Sequence, residues 1–313
     1  MARIGRRKFL KEAGMAGAAA AAAGMAGALG AAAAPAPAMP TIHLGGLRVS
    51  RLILGSNPFF GFAHGNPQAD GKAMKAYYTK ERIMATMDQA AEHGITAVWT
   101  PPYPHWIELW KEYQDRGGKL RIWIGQPDSK EMVGHLKACI ENGAKAVAIQ
   151  GCQIDARIGK GEFDVVRGWL ETIKGAGLPA GMATHQPHTH LLAEEKGLPT
   201  DFYHQCMGKP EDYSTEVREE IFANLAKIAK PIVAYKVLGA GRILPKDAIP
   251  YMLKHLKPKD GLCVGVCPDK DPNQIAENVA LVCALKVAAL PHTVKRQAAP
   301  LAASPCAGEA GGA

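Results

Sequence analysis

The chain has 313 residues, of which 47% are hydrophobic and 21% charged, and a formal net charge of +8. Residues 1–38 hold five of the lysines and arginines and a single acid, so the remaining chain of about 275 residues carries only +4. Such a small excess argues against a nucleic-acid-binding protein. No run of about 18 apolar residues follows residue 38, which argues against a membrane-spanning segment.

The first 38 residues have the pattern of a twin-arginine signal peptide. The run RRKFLK at 6–11 is followed by a mildly apolar tract at 13–34 and by small-residue cleavage sites, of which APA at 36–38 is the better. The alternative, a transmembrane anchor, needs more Leu, Ile and Phe than this tract contains. We expect export to the periplasm or the cell exterior by the twin-arginine translocase, which carries folded proteins. A buried cofactor would then be loaded in the cytoplasm.

Residues 39–296 alternate short β-rich apolar runs with amphipathic helical segments. The apolar runs predict eight strands, at 50–55, 95–100, 120–125, 144–150, 178–184, 201–205, 231–238 and 261–267. Helices are predicted at 79–93, 106–114, 129–142, 162–176, 191–196, 215–228, 246–256 and 272–289. The tail at 297–313 is rich in Ala, Gly, Pro and Ser, which predicts disorder.

Eight strand–helix units in succession indicate the fold class. Repeated units of this kind predict a parallel sheet covered by helices, and eight of them predict a closed (β/α)8 TIM barrel in one α/β domain, 39–296. A Rossmann sheet is the competing architecture. It is disfavoured because no Gly-x-Gly-x-x-Gly opens the first strand–helix turn and the strand count exceeds the usual number.

In such barrels the chemistry lies at the C-terminal ends of the strands. Here those ends are rich in amides, imidazoles and acids, which suits a small polyhydroxylated or carbonyl substrate. Four of them are assigned to substrate binding: Asn57, His105, Gln150 and His204. Tyr103 is predicted to be an auxiliary catalytic acid, and Asp128 to assist catalysis by orienting the substrate. Further rim residues have no assigned role, among them Gln126, Gln153 and Asp155.

Lys236 is the strongest candidate for a catalytic residue. It lies in or at the end of the seventh predicted strand, next to apolar Val233 and Val237. Apolar surroundings lower the pKa of a lysine by desolvation, which is the condition for Schiff-base or general-base chemistry. The alternative is a structural ion pair between this lysine and a rim carboxylate such as Asp128 or Asp269.

Two histidines end neighbouring predicted strands, His185 the fifth and His204 the sixth. Neighbouring strand ends could bring these imidazoles together as in a metal site, but no third ligand at fixed spacing is apparent, so no metal is predicted. We prefer a single histidine that acts as acid and base, namely His185 beside Lys236 or Tyr103.

A glycine-rich loop with a trailing cation, GAGR at 239–242, follows the seventh strand. Its backbone N–H groups and Arg242 could hold a phosphate, at a place where barrels often do so. A tight turn that needs glycine for its backbone angles is an equally good interpretation.

Four segments resemble the aldo/keto reductase superfamily. LGGLRVSRLILG at 44–55 looks like that family's opening hairpin and first strand, and AAEHGI at 90–95 is similar to the exit of its first helix. YKVLGAG at 235–241 resembles the stretch whose tyrosine stacks on nicotinamide, and PNQIAEN at 272–278 looks like the last cofactor-side helix. The resemblance implies a TIM barrel and a tightly held NADP, without fixing that the cofactor is bound. The cofactor-binding residues that it implies are Tyr235, Gly239, Gly241, Arg242 and Asn278.

The chain departs from the family at its Asp/Tyr/Lys/His tetrad. Trp99 or Thr100 stands where the family has its aspartate, and Tyr103 is displaced by one residue from the tyrosine position. Residues 125–126 (GQ) replace the lysine, and Gln150 replaces the histidine. Without the lysine–aspartate pair the pKa of the tyrosine is not lowered for proton donation, which argues against the family's usual carbonyl reduction.

The sequence therefore predicts a divergent enzyme, related to aldo/keto reductases, that acts on a sugar-like or other carbonyl compound. Lys236 and His185 would have proton-transfer or covalent roles. One alternative is a redox-neutral lyase or isomerase that uses the same two residues. The other is a non-catalytic binding protein for a polar small molecule.

Overall fold

The computed structural model describes residues 38–63, 69–208, 215–269 and 271–284. They belong to a compact unit that begins at Ala38. The predicted signal peptide, except for Ala38, and the predicted disordered tail lie outside the described residues, so export and disorder stay predictions. Within the described ranges no helix is long and apolar enough to cross a bilayer.

Eight parallel strands close into a barrel behind an antiparallel hairpin. The hairpin consists of β1 (Thr41–Leu44) and β2 (Leu47–Ser50). The barrel strands are β3 (Leu52–Gly55), β4 (Ala97–Thr100), β5 (Ile122–Gly125), β6 (Ala146–Ile149), β7 (Ala180–Thr184), β8 (Phe202–Cys206), β9 (Ile232–Tyr235) and β10 (Gly261–Gly265). Each pairs in parallel with the next, and β10 closes the ring against β3. The predicted TIM barrel is confirmed.

Helices connect the barrel strands. They are α1 (Ala69–Tyr77), α2 (Lys80–Glu92), α3 (Pro104–Asp115), α4 (Met132–Glu141), α5 (Gly151–Ile158), α6 (Phe163–Gly175), α7 (Thr189–Glu195), α8 (Thr215–Leu225), α9 (Pro245–His255) and α10 (Gln274–Ala284). Two of them, α1 and α5, were not predicted. The others begin within a few residues of their predicted starts.

Residues of each strand alternate between two apolar cores. In β3, Ile53 belongs to the cluster inside the barrel, whereas Leu52 and Leu54 belong to the cluster that the strands share with the helices. This alternation is expected for a closed sheet, because successive side chains point to opposite faces. The inner cluster also contains the rings of Trp99 and Tyr235, which lie near the ends of their strands.

The β1–β2 hairpin closes the N-terminal end of the barrel. Its Ile42, Leu44 and Val49 are buried in the inner cluster. The hairpin turn contains Gly45, where a Cβ would lie only 2.7 Å from Cβ of Asp201, the residue before β8. The mouth that stays open is therefore the C-terminal end of the strands, where the sequence places the candidate residues.

Candidate active site

A cavity of about 380 Å³ lies at the C-terminal mouth of the barrel. Its volume is at the small end of the roughly 300–1,000 Å³ that small-molecule sites occupy. Asp70 and Met74 of α1 also line this cavity. Five of the predicted catalytic and substrate-binding residues contribute to its wall: Asn57, Asp128, Gln150, His185 and Lys236.

Lys236 reaches the cavity from a turn and not from a strand. The strand β9 ends at Tyr235, so the predicted strand at 231–238 was too long at its C-terminal end. Lys236 has φ 56°, in the left-handed region that few non-glycine residues adopt, and its carbonyl accepts the N–H of Gly239 at 3.0 Å. From this turn, Nζ of Lys236 lies 3.5 Å from Nε2 of His185.

His185 directly follows β7, and Asp155 of α5 contacts its ring at Nδ1, the nitrogen that faces away from Lys236. Nδ1 lies 3.1 Å from Oδ2 of Asp155, and the backbone N–H of His185 donates to the same oxygen at 2.9 Å. The hydroxyl of Thr184 donates to Oδ1 of Asp155. Asp155, His185 and Lys236 thus form a continuous series of polar contacts, which we call the relay. The side chains of His185 and Asp155 are only 11% and 5% exposed.

The surroundings of His185 favour its protonated form. Burial lowers the pKa of this imidazole and the charge of Lys236 acts in the same direction, but the hydrogen bonds to Asp155 and Cys152 and the carboxylate charge outweigh them. The pKa of His185 therefore lies above its ordinary value. Sγ of Cys152 is 4.0 Å from Nδ1, farther than the carboxylate oxygen, so Asp155 is the closer partner. A ring in this environment is suited to accept a proton near neutral pH.

Asp128 lies across the mouth from Lys236. It follows β5, which is four strands away from β9 in the eight-stranded ring. The hydroxyl of Tyr103 donates to Oδ2 of Asp128, and Nδ1 of His135 lies 3.2 Å from Oδ1. Tyr103 is not part of the cavity wall that the described residues form. Tyr103 is therefore separated from the cavity by Asp128, whose carboxylate lines the wall and accepts the Tyr103 hydroxyl.

Gln150 lines the cavity, but its amide oxygen also has a structural partner. Oε1 accepts the backbone N–H of Cys152 at 2.8 Å and that of Gln153 at 3.3 Å, and so caps the first turn of α5. The amide NH2 group is then the part of Gln150 that can donate to a substrate.

Two of the predicted substrate-binding residues do not line the cavity. The strand β8 extends to Cys206, so His204 is a strand residue inside the barrel, with its ring centroid 4.2 Å from that of Trp99. Burial lowers the pKa of His204 to about 3, and neither ring nitrogen has a hydrogen-bond partner among the described residues. His105 is exposed in the first turn of α3 and stacks on Tyr103.

The two histidines considered for a metal site are therefore placed differently. His185 lines the cavity, whereas His204 is fully buried in the inner core. In the ranges that the structure describes, no three His, Cys, Asp or Glu side chains come together as metal ligands.

The residues that the family resemblance assigns to NADP do not converge on the cavity. Tyr235 and Gly241 line the cavity, but the Tyr235 hydroxyl donates a hydrogen bond to a backbone carbonyl of β7 at 3.0 Å. Gly239 is buried in the turn, and Arg242 is exposed, with Nη1 donating to the Gly239 carbonyl at 2.9 Å. Asn278 is 1% exposed within α10 and is not in the cavity wall. At these positions the five residues do not form one surface that fits NADP.

Sequence reasoning gave no role to Asp155, Cys152 or α1. Asp155 was recognised only as a rim residue, because α5 was not predicted. A usable signal was its distance from Gln150: a helix that starts where the strand ends places residue 155 one turn into that helix, beside the next strand end. The corresponding signal for α1 was the spacing of Asp70 and Met74, which puts both on one helix face.

No family model matches the chain, and the search of curated proteins finds no match. Solved structures are similar to it. The assigned aldo-keto reductase PA4992 of Pseudomonas aeruginosa has a TM-score of 0.58 and 17% identity, over 79% of this chain and 97% of that one. The aldo-keto reductase AKR11C1 of Bacillus halodurans, in its holo form, has a TM-score of 0.50 and 14% identity, over 82% of this chain and 93% of that one. Gox0644, in its apo form, has a TM-score of 0.51 and 12% identity, over 78% of this chain and 88% of that one. This chain therefore has the barrel fold found in aldo-keto reductases.

Proposed function

We propose that the protein is a redox-neutral enzyme, a lyase or isomerase, that acts on a small polar carbonyl compound through Lys236 and His185. The observation that carries this proposal is the 3.5 Å contact between Nζ of Lys236 and Nε2 of His185 in the cavity wall. An adjacent base is the arrangement that activates a lysine as a nucleophile. The barrel fold supports an enzyme, because barrels of this kind carry their chemistry at this mouth.

The proposed chemistry begins with a proton transfer from the Lys236 ammonium to Nε2 of His185. The free amine attacks the substrate carbonyl carbon, and a carbinolamine forms as an amine proton moves to the carbonyl oxygen. The His185 imidazolium then protonates that hydroxyl, which leaves as water, and a protonated Schiff base stays on Lys236. Overall, a carbonyl and an ammonium give an iminium and water, so no oxidant or reductant is consumed.

The iminium withdraws electrons, so that a C–H or C–C bond at the adjacent carbon breaks more easily. A group on the far side of the cavity can accept the proton that this step releases, and Asp128 lies there with Tyr103 bonded to its carboxylate. The enamine that results takes a proton back at carbon, which re-forms an iminium, and attack of water on this iminium releases the carbonyl product and regenerates Lys236. The uncharged polar groups of Asn57 and Gln150 suit a hydroxylated substrate.

Carbonyl reduction with NADP receives less support from the residues present. Arg242 is turned to a carbonyl of its own loop, and Asn278 is buried away from the cavity. The positions of the family's lysine–aspartate pair, which lowers the pKa of the proton-donating tyrosine, also hold other residues. The proposed chemistry therefore uses this chain's own side chains alone.

Reductive trapping tests this function. The purified protein is incubated with a panel of small aldehydes, ketones and unphosphorylated sugars, reduced with sodium borohydride and mapped by mass spectrometry. We expect an adduct on Lys236 at a lower carbonyl concentration than on Lys111, whose side chain is 75% exposed and paired with Asp115. The reason is the imidazole beside Lys236, which removes its proton.

Two variants serve as controls for the trapping. Lys236→Arg keeps the positive charge and should abolish the adduct at this position. His185→Gln should slow adduct formation on Lys236 by at least about 10-fold, since positioned acid–base groups contribute roughly 10²–10⁴-fold. Equal labelling of Lys236 and Lys111 across the whole panel would rule out the proposed function.

A further inference from the structure

Asp155 is surrounded by donors that come from the end of β7. Its carboxylate accepts the hydroxyl of Thr184 at one oxygen, and the backbone N–H of His185 at the other. The second oxygen is also 3.1 Å from Nδ1 of His185. With 5% of its side chain exposed, the carboxylate depends on these protein partners in place of water.

These contacts determine which nitrogen of His185 carries the proton. An ionised carboxylate only accepts hydrogen bonds, so the nitrogen that faces it, Nδ1, must be the donor. In the neutral ring Nε2 is then a free acceptor, and it faces Nζ of Lys236 at 3.5 Å. The opposite tautomer would leave Nδ1 without a proton against a carboxylate and would direct an N–H at an ammonium group.

We propose that Asp155 is a positioning residue: it holds His185 in the Nδ1–H tautomer and stabilises the imidazolium that forms when the ring takes the proton of Lys236. This inference rests on the proposed function for its catalytic meaning, but the tautomer itself is independent of it. Asp155 is not part of the cavity wall that the described residues form, so it acts through His185.

The titratable groups that face His185 come from α5, from the end of β9 and from the turn after β9. Asp155 and Cys152 approach Nδ1 from α5, and the Lys236 ammonium approaches Nε2 from the turn after β9. The ring of Tyr235 lies edge-on with its centroid 5.8 Å from that of His185. Among these groups Asp155 lies closest to the ring nitrogens and can balance an imidazolium charge, so its removal should lower the pKa of His185 and leave the Lys236 proton without an acceptor.

The test compares wild type, Asp155→Asn, Asp155→Glu and the control Asp201→Asn. Asp201 is a matched carboxylate because it accepts the backbone N–H of Ala180 at 2.9 Å at the opposite end of β7 and does not touch His185. The readout is the ¹⁵N NMR spectrum of histidine-labelled protein across pH, with the His185 signals assigned by their loss in His185→Gln. The second readout is the pH profile of the reductive adduct on Lys236.

We expect the wild-type His185 ring to be protonated at Nδ1, and Asp155→Asn to lose this preference and to titrate at lower pH. The trapping rate of Asp155→Asn should fall at least about 10-fold near neutral pH. Asp155→Glu should restore part of both properties, and Asp201→Asn should change neither, although it lowers stability.

The outcomes separate this inference from the proposed function. An Nε2–H tautomer at His185 in wild type overturns the inference even if Asp155→Asn fails to fold. Unchanged titration or unchanged trapping in a folded Asp155→Asn protein overturns it as well. If wild type traps no carbonyl at Lys236, the proposed function fails, and the NMR result alone decides the role of Asp155 at His185.

Discussion

Lys236 has a backbone conformation that is unfavourable for lysine. It shares φ 56° with Ala240, and these are the non-glycine residues with positive φ in the described part of the chain. The left-handed region costs a residue with a Cβ about 1–2 kcal/mol. Strain of this kind occurs preferentially at functional sites. The strained turn at Lys236 ends β9 and places the amine beside His185. The fold therefore gives up some stability to position this one side chain.

Lys236→Gly should be more stable than Lys236→Ala by about 1 kcal/mol, because glycine adopts this φ without a Cβ clash. Both variants lose the amine, so the comparison isolates the backbone. In thermal unfolding, a difference of this size raises Tm by about 2–4 °C for a chain of this length. Ala240→Gly is the matched control and should gain a similar amount over wild type. A Lys236→Gly protein that melts no later than Lys236→Ala would refute the strain argument.

At the scale of elements, the short helix α5 completes the relay. It begins directly after β6 and buries only a few residues, among them Ile154 and Ile158. The sequence did not predict α5, because its eight residues give little periodicity and lie in the connection between the predicted strand at 144–150 and the predicted helix at 162–176. Length alone does not decide this, since the seven-residue helix α7 was predicted. Asp155 thus lies on one of the two helices, α1 and α5, that the sequence did not predict.

The cap of α5 leads to a second stability prediction. Gln150→Ala removes the oxygen that accepts two backbone N–H groups and should lower the free energy of unfolding by about 1 kcal/mol. Gln150→Glu keeps an acceptor oxygen and adds negative charge at the helix N-terminus, so it should retain the stability of wild type. Urea unfolding of both variants near pH 7 measures the difference. An equal loss in the two proteins would show that the cap is not the source of the stability.

At the scale of the whole molecule, the packed barrel couples folding to histidine protonation. His204 inside the barrel and His190 outside β8 are both fully buried. Burial lowers their pKa values to about 3 and about 4. Unfolded histidine has a pKa of about 6.5, so between these values the unfolded chain binds protons that the native protein does not. The loss of stability that these two histidines cause is therefore absent above about pH 6.5 and grows as the pH drops toward 3.

His204→Phe should reduce this loss of stability in acid. The phenyl ring keeps an aromatic contact with Trp99 and has no nitrogen to protonate. Each such histidine contributes a slope of up to about 1.4 kcal/mol per pH unit, and the variant should lack one of these contributions. Unfolding measured from pH 7 to pH 4 provides the comparison, with exposed His43→Gln as the control. Parallel stability curves for wild type and His204→Phe would contradict the expectation.

The sequence by itself determined the eight strand–helix units and the rim that carries Lys236 and His185, because apolar runs and helical periodicity are properties of local segments. Only the tertiary structure decided which rim residues meet. Asp155 and His185 are 30 positions apart, and His185 and Lys236 are 51 apart. It also decided that His204 lies in the core, because β8 continues to Cys206 and so places this ring inside the barrel and not at its rim. These contacts depend on ring closure and strand stagger, which no local pattern contains.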